Sequence, residues 1–122
     1  MTLRSTFSPM LLAGLLGATT ALGFAACGED GAALGDCPTN STTQQLAGRR
    51  YIETTCAVAG CHGGGGSSGG VNLSTLAGIQ THAGSSYAEA SSGSMPPGGV
   101  RTSSATLEAM RIFLACGAPD VK

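Results

Sequence analysis

The stretch Cys56-Ala-Val-Ala-Gly-Cys61-His62 places two thiols four small residues apart, with an imidazole directly after the second. Three chemistries suit that order. The thiols can close a local disulfide. With a fourth donor from His82, Cys37 or Cys116 they and His62 can hold zinc, although the C-x2–4-C…H-x3–5-H arrangement usual for zinc is missing. They can also carry a haem, for which C-x-x-C-H is the attachment signature. In that chemistry each thiol adds across a vinyl group to form a thioether, and the adjacent imidazole ligates iron. The spacing here is C-x-x-x-x-C-H, two residues longer. Ala57, Val58, Ala59 and Gly60 must therefore bulge out while both sulfurs reach neighbouring vinyls, and all four are small enough to do so.

Met95 stands in Ser94-Met-Pro-Pro-Gly98. Its thioether is a soft, neutral donor suited to a sixth iron position. Pro96 and Pro97 stiffen the segment around it. His82 is the competing sixth ligand, in a bland setting of Thr81, Ala83 and Gly84. Hydrolytic chemistry finds no support: Glu53, Glu89 and Glu108 are scattered, and no nucleophile elbow is present. Seven glycines fall between Gly60 and Gly70, but no Gly-Lys-Ser/Thr follows, so this is a loop and not a phosphate cradle. The chain does not read as an enzyme.

The elements that must position these residues read as helices. Residues 41–56 carry a moderate helical stripe through Leu46, Gly48, Tyr51, Ile52 and Thr55, with Ser41 or Thr42 as the expected cap. Gly48 within it predicts a close approach to another element. A short helix is expected after a Ser74 cap, ending at His82 to Gly84, with one further turn over Tyr87–Ala90. Ser104–Cys116 is the strongest helix, with Leu107, Met110, Phe113 and Leu114 on one stripe and Gly117 and Pro119 as stop signals. No alternating strand pattern stands out, so the fold class is all-α.

The first 26 residues have the order of an export signal. Arg4 precedes the apolar run Met10–Ala18, and small residues lead to Ala25-Ala26-Cys27. Phe24-Ala-Ala-Cys27 resembles a bacterial lipobox, which implies that Cys27 becomes a lipidated amino terminus. Acyl chains contribute ~0.8 kcal/mol per buried methylene and would anchor it stably. Residues 27–40 then form a tether of small and polar residues, 41–118 the domain, and 119–122 a tail. Of the 122 residues only 11% are charged and the net charge is −1, which leaves no basic field for nucleic acid. After removal of 1–26 the aromatics are Tyr51, Tyr87 and Phe113. So few large side chains in a small domain call for a staple or a non-protein core component.

Taken together, these segments resemble a monohaem c-type cytochrome domain of the kind carried by bacterial exported proteins, in its C-x4-C-H variant. Gly48-Arg-Arg-Tyr-Ile52 resembles the family's amino-terminal helix, and Cys61-His62-Gly63 its C-H-G. Gly70-Val-Asn-Leu73 resembles its Gly-Gly-Leu-x-Leu segment, Ser94-Met-Pro-Pro-Gly98 its second-ligand loop, and the last helix its carboxy-terminal helix. The resemblance covers roughly residues 41–118. It implies a small class I cytochrome c-like helical domain wrapped around one covalent haem c. Cys56 and Cys61 would be its thioether sites, His62 the proximal ligand and Met95 the distal ligand. It further implies one-electron transfer between redox partner proteins of the cell envelope, by a monomer lipid-anchored to a bacterial membrane and facing the periplasm or the exterior. If Cys27 takes lipid and Cys56 and Cys61 take haem, Cys37 and Cys116 remain of the five cysteines, and a disulfide between them would close nearly the whole domain. The alternative is a haem-free lipoprotein, stapled by Cys56–Cys61 and Cys37–Cys116, that acts as a binding or structural module.

Overall fold

In the computed structural model, residues 33–64 and 68–122 are described. The export signal read over 1–26, the lipid site Cys27 and the first part of the tether lie outside them. The first helix, α1, runs Thr42–Tyr51 and continues without a break into a π-helical turn, Ile52–Cys56. α2 spans Leu76–Thr81, α3 spans Ala83–Ser92 and α4 spans Ser104–Ala115. Among the described residues there is no strand, only an isolated bridge between Ala59 and Gly63. The architecture is all-α. Among the described residues no helix is long and apolar enough to cross a membrane.

The helix ends follow local chemistry, with differences from the sequence reading. Ser41 precedes α1 but does not cap it by its side chain. Its buried hydroxyl instead donates to the Pro38 carbonyl (2.7 Å) and receives Gln45 Nε2 (2.8 Å). The cap of α2 is Thr75, whose Oγ1 accepts from the Gly78 amide, whereas Ser74 accepts from the Gly64 amide. Chain direction changes at His82, and helix resumes at Ala83. The single turn expected over 87–90 is therefore a ten-residue helix. Ala83-Gly-Ser-Ser is weak helix sequence, and the contact of Ala83, Tyr87 and Ala90 with the core overrides it. Ser103 caps α4 through the Thr106 amide, and Gly117, at φ 79°, turns the chain out of it.

The core forms where α1 crosses α4. Ile52, Met110 and Phe113 are fully buried, with Leu73, Ile79, Ala90, Leu114 and Ala118 around them. Burying each large side chain contributes about 1.5–3 kcal/mol. The stripe read in α4 is this face, with Leu107 at its half-buried edge. Gly48 is the crossing point. A Cβ there would lie 2.3 Å from the Ala109 carbonyl oxygen and 2.8 Å from Phe113 Cβ, so only glycine lets the helices approach this closely.

Both ends of the described chain are tied to this pair of helices. Cys37 and Cys116 are joined in a disulfide, with Cα atoms 4.7 Å apart. Arg111 donates to the Leu34 carbonyl, so the segment read as a tether is held against α4 from Leu34 onward. Arg49 of α1 donates to Asp120 (2.6 Å) and to the Val121 carbonyl (2.8 Å), and also to Glu53 (2.7 Å). Hydrogen bonds from Arg49 and the nearby Lys122 hold the Asp120 carboxyl below its ordinary range.

Candidate functional site

A cavity of about 340 Å³ opens beside the α1–α4 core. That lies within the range of ligand pockets, roughly 300–1,000 Å³. Its wall is drawn from five segments. The end of α1 and its π turn supply Tyr51 and Cys56, and the following loop supplies His62. The Ser68–Leu73 strap supplies Val71 and Leu73, α3 supplies Ser85, Ser86, Glu89 and Ala90, and the loop after α3 supplies Met95.

Cys56 reaches this wall because of the π turn. A five-residue step along an α-helix rotates ~140° away from the starting face. In Ile52–Cys56 the Ala57 amide bonds instead to the Ile52 carbonyl (2.8 Å), an i to i+5 closure that takes one more residue into the turn. Cys56 is thereby brought round toward the Tyr51 face, and both line the cavity. Burial pushes the Cys56 thiol from its ordinary 9.0 up to about 11, and the neighbouring Cys61 acts in the same direction. At neutral pH Cys56 is a protonated, weakly nucleophilic thiol.

The loop from Ala57 to Gly63 folds tightly back on the π turn. Cys61 and Gly63 both donate their amides to the Val58 carbonyl, and His62 donates its amide to Cys56. Gly63 is buried, and a Cβ on it would stand 2.1 Å from the Ala57 carbonyl oxygen. The expected bulge of the four intervening residues thus takes the form of a compact turn.

His62 is fixed at two points by the strap. Its carbonyl receives the Leu73 amide (2.8 Å), and its Nδ1 lies 3.2 Å from the Val71 carbonyl oxygen. A carbonyl can only accept, so Nδ1 carries the hydrogen and Nε2 carries the free lone pair. That is the second-contact arrangement by which proteins orient a metal-ligating imidazole.

Met95 is held by its own amide, which donates to the Glu89 carbonyl at the end of α3 (3.1 Å). The Met95–Pro96 peptide is cis. Met95 is 37% exposed, at the rim of the cavity.

Of the residues singled out from sequence, Cys56, His62 and Met95 therefore line the same cavity. Cys61 is half-buried in the turn next to Cys56, not on the wall, and both thiols are free. His82 sits at the α2–α3 junction, also off the wall. For zinc, Cys37 and Cys116 are bonded to each other. Among the described residues no group of three or more His, Cys, Asp and Glu side chains is placed to hold a metal ion.

One thiol, the imidazole and the thioether line the cavity, and the second thiol, Cys61, lies beside it in the turn. The wall offers a protonated thiol, an imidazole with a free Nε2, a thioether, and apolar surface from Val71, Leu73, Ala90 and the Tyr51 ring. Tyr51, Ser85, Ser86 and Glu89 were not anticipated as site residues. From the sequence Tyr51 reads as part of the packing stripe and of the segment that resembles the amino-terminal helix, and the α3 residues belong to a helix longer than the sequence suggests. No protein-family model, no curated protein and no solved structure matches the chain.

Proposed function

We propose that the chain is an electron carrier of the bacterial cell envelope, with a class I cytochrome c-like helical domain around one covalent haem c. The observation that supports this most is the meeting of Cys56, His62 and Met95, from three separate segments, on the wall of one largely apolar cavity. When bound, the haem supplies an iron that takes up and releases one electron. Every other part of the work falls to the chain. Cys56 and Cys61 would hold the haem through thioethers, each thiol adding across a vinyl group. His62 presents Nε2 in an orientation set by Val71 and Leu73. Met95 would present a neutral sulfur, a donor that favours reduced iron and raises the potential. With both His62 and Met95 as ligands no position would remain for a substrate, which favours electron transfer over catalysis.

The same reading places the carrier on a membrane through lipid at Cys27, as a monomer whose partners are redox proteins. The disulfide at Cys37 and the Arg111–Leu34 bond end the tether on the face of α4.

The test is the intact chain exported with a cytochrome c maturation system and then digested. The peptide spanning Cys56–His62 is expected to carry the mass of one haem. If that peptide is found instead with Cys56 and Cys61 oxidised to each other, the reading fails and the protein is a disulfide-stapled lipoprotein.

A further inference from the structure

The loop that carries Met95 is held at two places. On its near side the Met95 amide bonds to Glu89, and the Ser92 and Ser94 hydroxyls bond to each other (2.9 Å). Gly93, at φ 82°, makes the turn between α3 and the loop. Beyond Met95, among the described residues, no hydrogen bond holds residues 96–101, and Val100 is 70% exposed. The next fixed point is Thr102. Its Oγ1 lies 2.7 Å from the phenol oxygen of Tyr51, the last residue of α1. Thr102 directly precedes Ser103, the cap of α4. One side chain thus joins the end of α1, the return of the loop and the start of α4. The Tyr51 ring itself forms part of the cavity wall.

We propose that Tyr51 is a positioning residue for Met95: its hydroxyl, bonded to Thr102, fixes the far end of the loop and so keeps the Met95 sulfur on the cavity wall. Two glycines, Gly98 and Gly99, lie between the two anchors, both at positive φ, so the loop has little stiffness of its own after the prolines. With one anchor removed, the loop stays tied only through Glu89 and samples positions off the wall. The consequence for iron ligation rests on the haem reading; the positioning of Met95 does not.

The experiment compares the full chain with Tyr51→Phe and Thr102→Val. The first keeps the ring that lines the cavity, and the second removes the same bond from the loop side. Two readouts are taken on the protein as isolated: the carbon-13 methyl signal of Met95, assigned with Met95→Leu, and exchange of the Met95 amide, the loop amide that is bonded to Glu89. Loss of the Tyr51–Thr102 bond is expected to speed exchange of the Met95 amide about fivefold, leave the α4 amides unchanged, and narrow and shift the Met95 methyl signal. Both variants should act alike, and the double variant should add nothing further. In haem-loaded protein the variants should also lower the reduction potential and let carbon monoxide bind reduced iron. An unchanged Met95 methyl signal and unchanged loop exchange in both variants would overturn the proposal. If the loop responds but no haem is present, the haem reading alone has failed. If haem is present and the loop and the potential do not respond, the positioning alone has failed.

Discussion

The Nδ1 of His62 lies 3.2 Å from the carbonyl oxygen of Val71, and this contact fixes which imidazole nitrogen is free. The strap that provides the carbonyl is itself bound to the His62 backbone through Leu73, a core residue. The ring orientation is therefore tied to the core by a chain of three residues. Replacing His62 by Ala is expected to leave the helical fold in place, since the ring is only half-buried, while abolishing a stable haem-loaded protein. Absorbance of purified protein against far-ultraviolet circular dichroism separates the two effects.

Met95 carries the second prediction. Met95→Ala should lower the reduction potential and open the reduced iron to carbon monoxide, because a neutral soft donor is lost. Stability of the polypeptide should change little, as the side chain is at the rim. A potential that does not move would remove Met95 from the ligand set and return attention to His82.

Gly48 and Gly63 are sites where a single methyl is costly. Gly48→Ala would drive a Cβ into the Ala109 carbonyl and Phe113, and overpacking of this kind costs about 1–3 kcal/mol even though alanine is the better helix former. Gly63→Ala would collide with the Ala57 carbonyl and force open the turn that sets His62. The first should shift the urea midpoint with haem content unchanged. The second should lower haem content in the purified protein.

How much of this was legible in the sequence varies by element. α4 was readable because Met110, Phe113 and Leu114 recur at helical spacing and Gly117 stops the helix. The close crossing at Gly48 was readable because a glycine in a helical stripe needs a reason. α3 was not readable beyond one turn, since Gly84, Ser85 and Ser86 have poor intrinsic propensity and are held by tertiary contact. Glu89 and the two serines were missed with it. The π turn over Ile52–Cys56 left no trace in the sequence, and the lengthened spacing between Cys56 and Cys61 is taken up by the compact turn that follows it. The Tyr51–Thr102 bond joins residues far apart in the chain, and no local pattern announces it.

The Cys37–Cys116 disulfide joins residues 79 positions apart in the sequence. A cross-link of this span stabilises by about 2–4 kcal/mol, chiefly through the unfolded chain. Cys37→Ser and Cys116→Ser should each lower unfolding free energy by that order, and reduction of the parent protein should do the same. Denaturant titration with and without reductant checks this. No loss in either variant would mean that the ends are held by the Arg49–Asp120 and Arg111–Leu34 contacts alone.

Cys56 gives a pH-dependent expectation for the haem-free chain. Its thiol titrates near 11 in the folded state against an ordinary 9.0, so the fold favours the protonated form. The associated stability is complete below about pH 9 and is lost as pH rises toward 11. Alkylation of Cys56 should therefore be slow at neutral pH and accelerate up to about pH 11. Rapid labelling at pH 7 would show a thiol more open than the structure has it.

Covalent attachment of haem to Cys56 and Cys61 is read by an alkaline pyridine haemochrome spectrum of the exported, denatured chain. A reduced c-type band is expected to stay with the polypeptide after denaturation and acid–organic extraction. A spectrum with no such band, from protein whose Cys56 and Cys61 have been oxidised to each other, would contradict it.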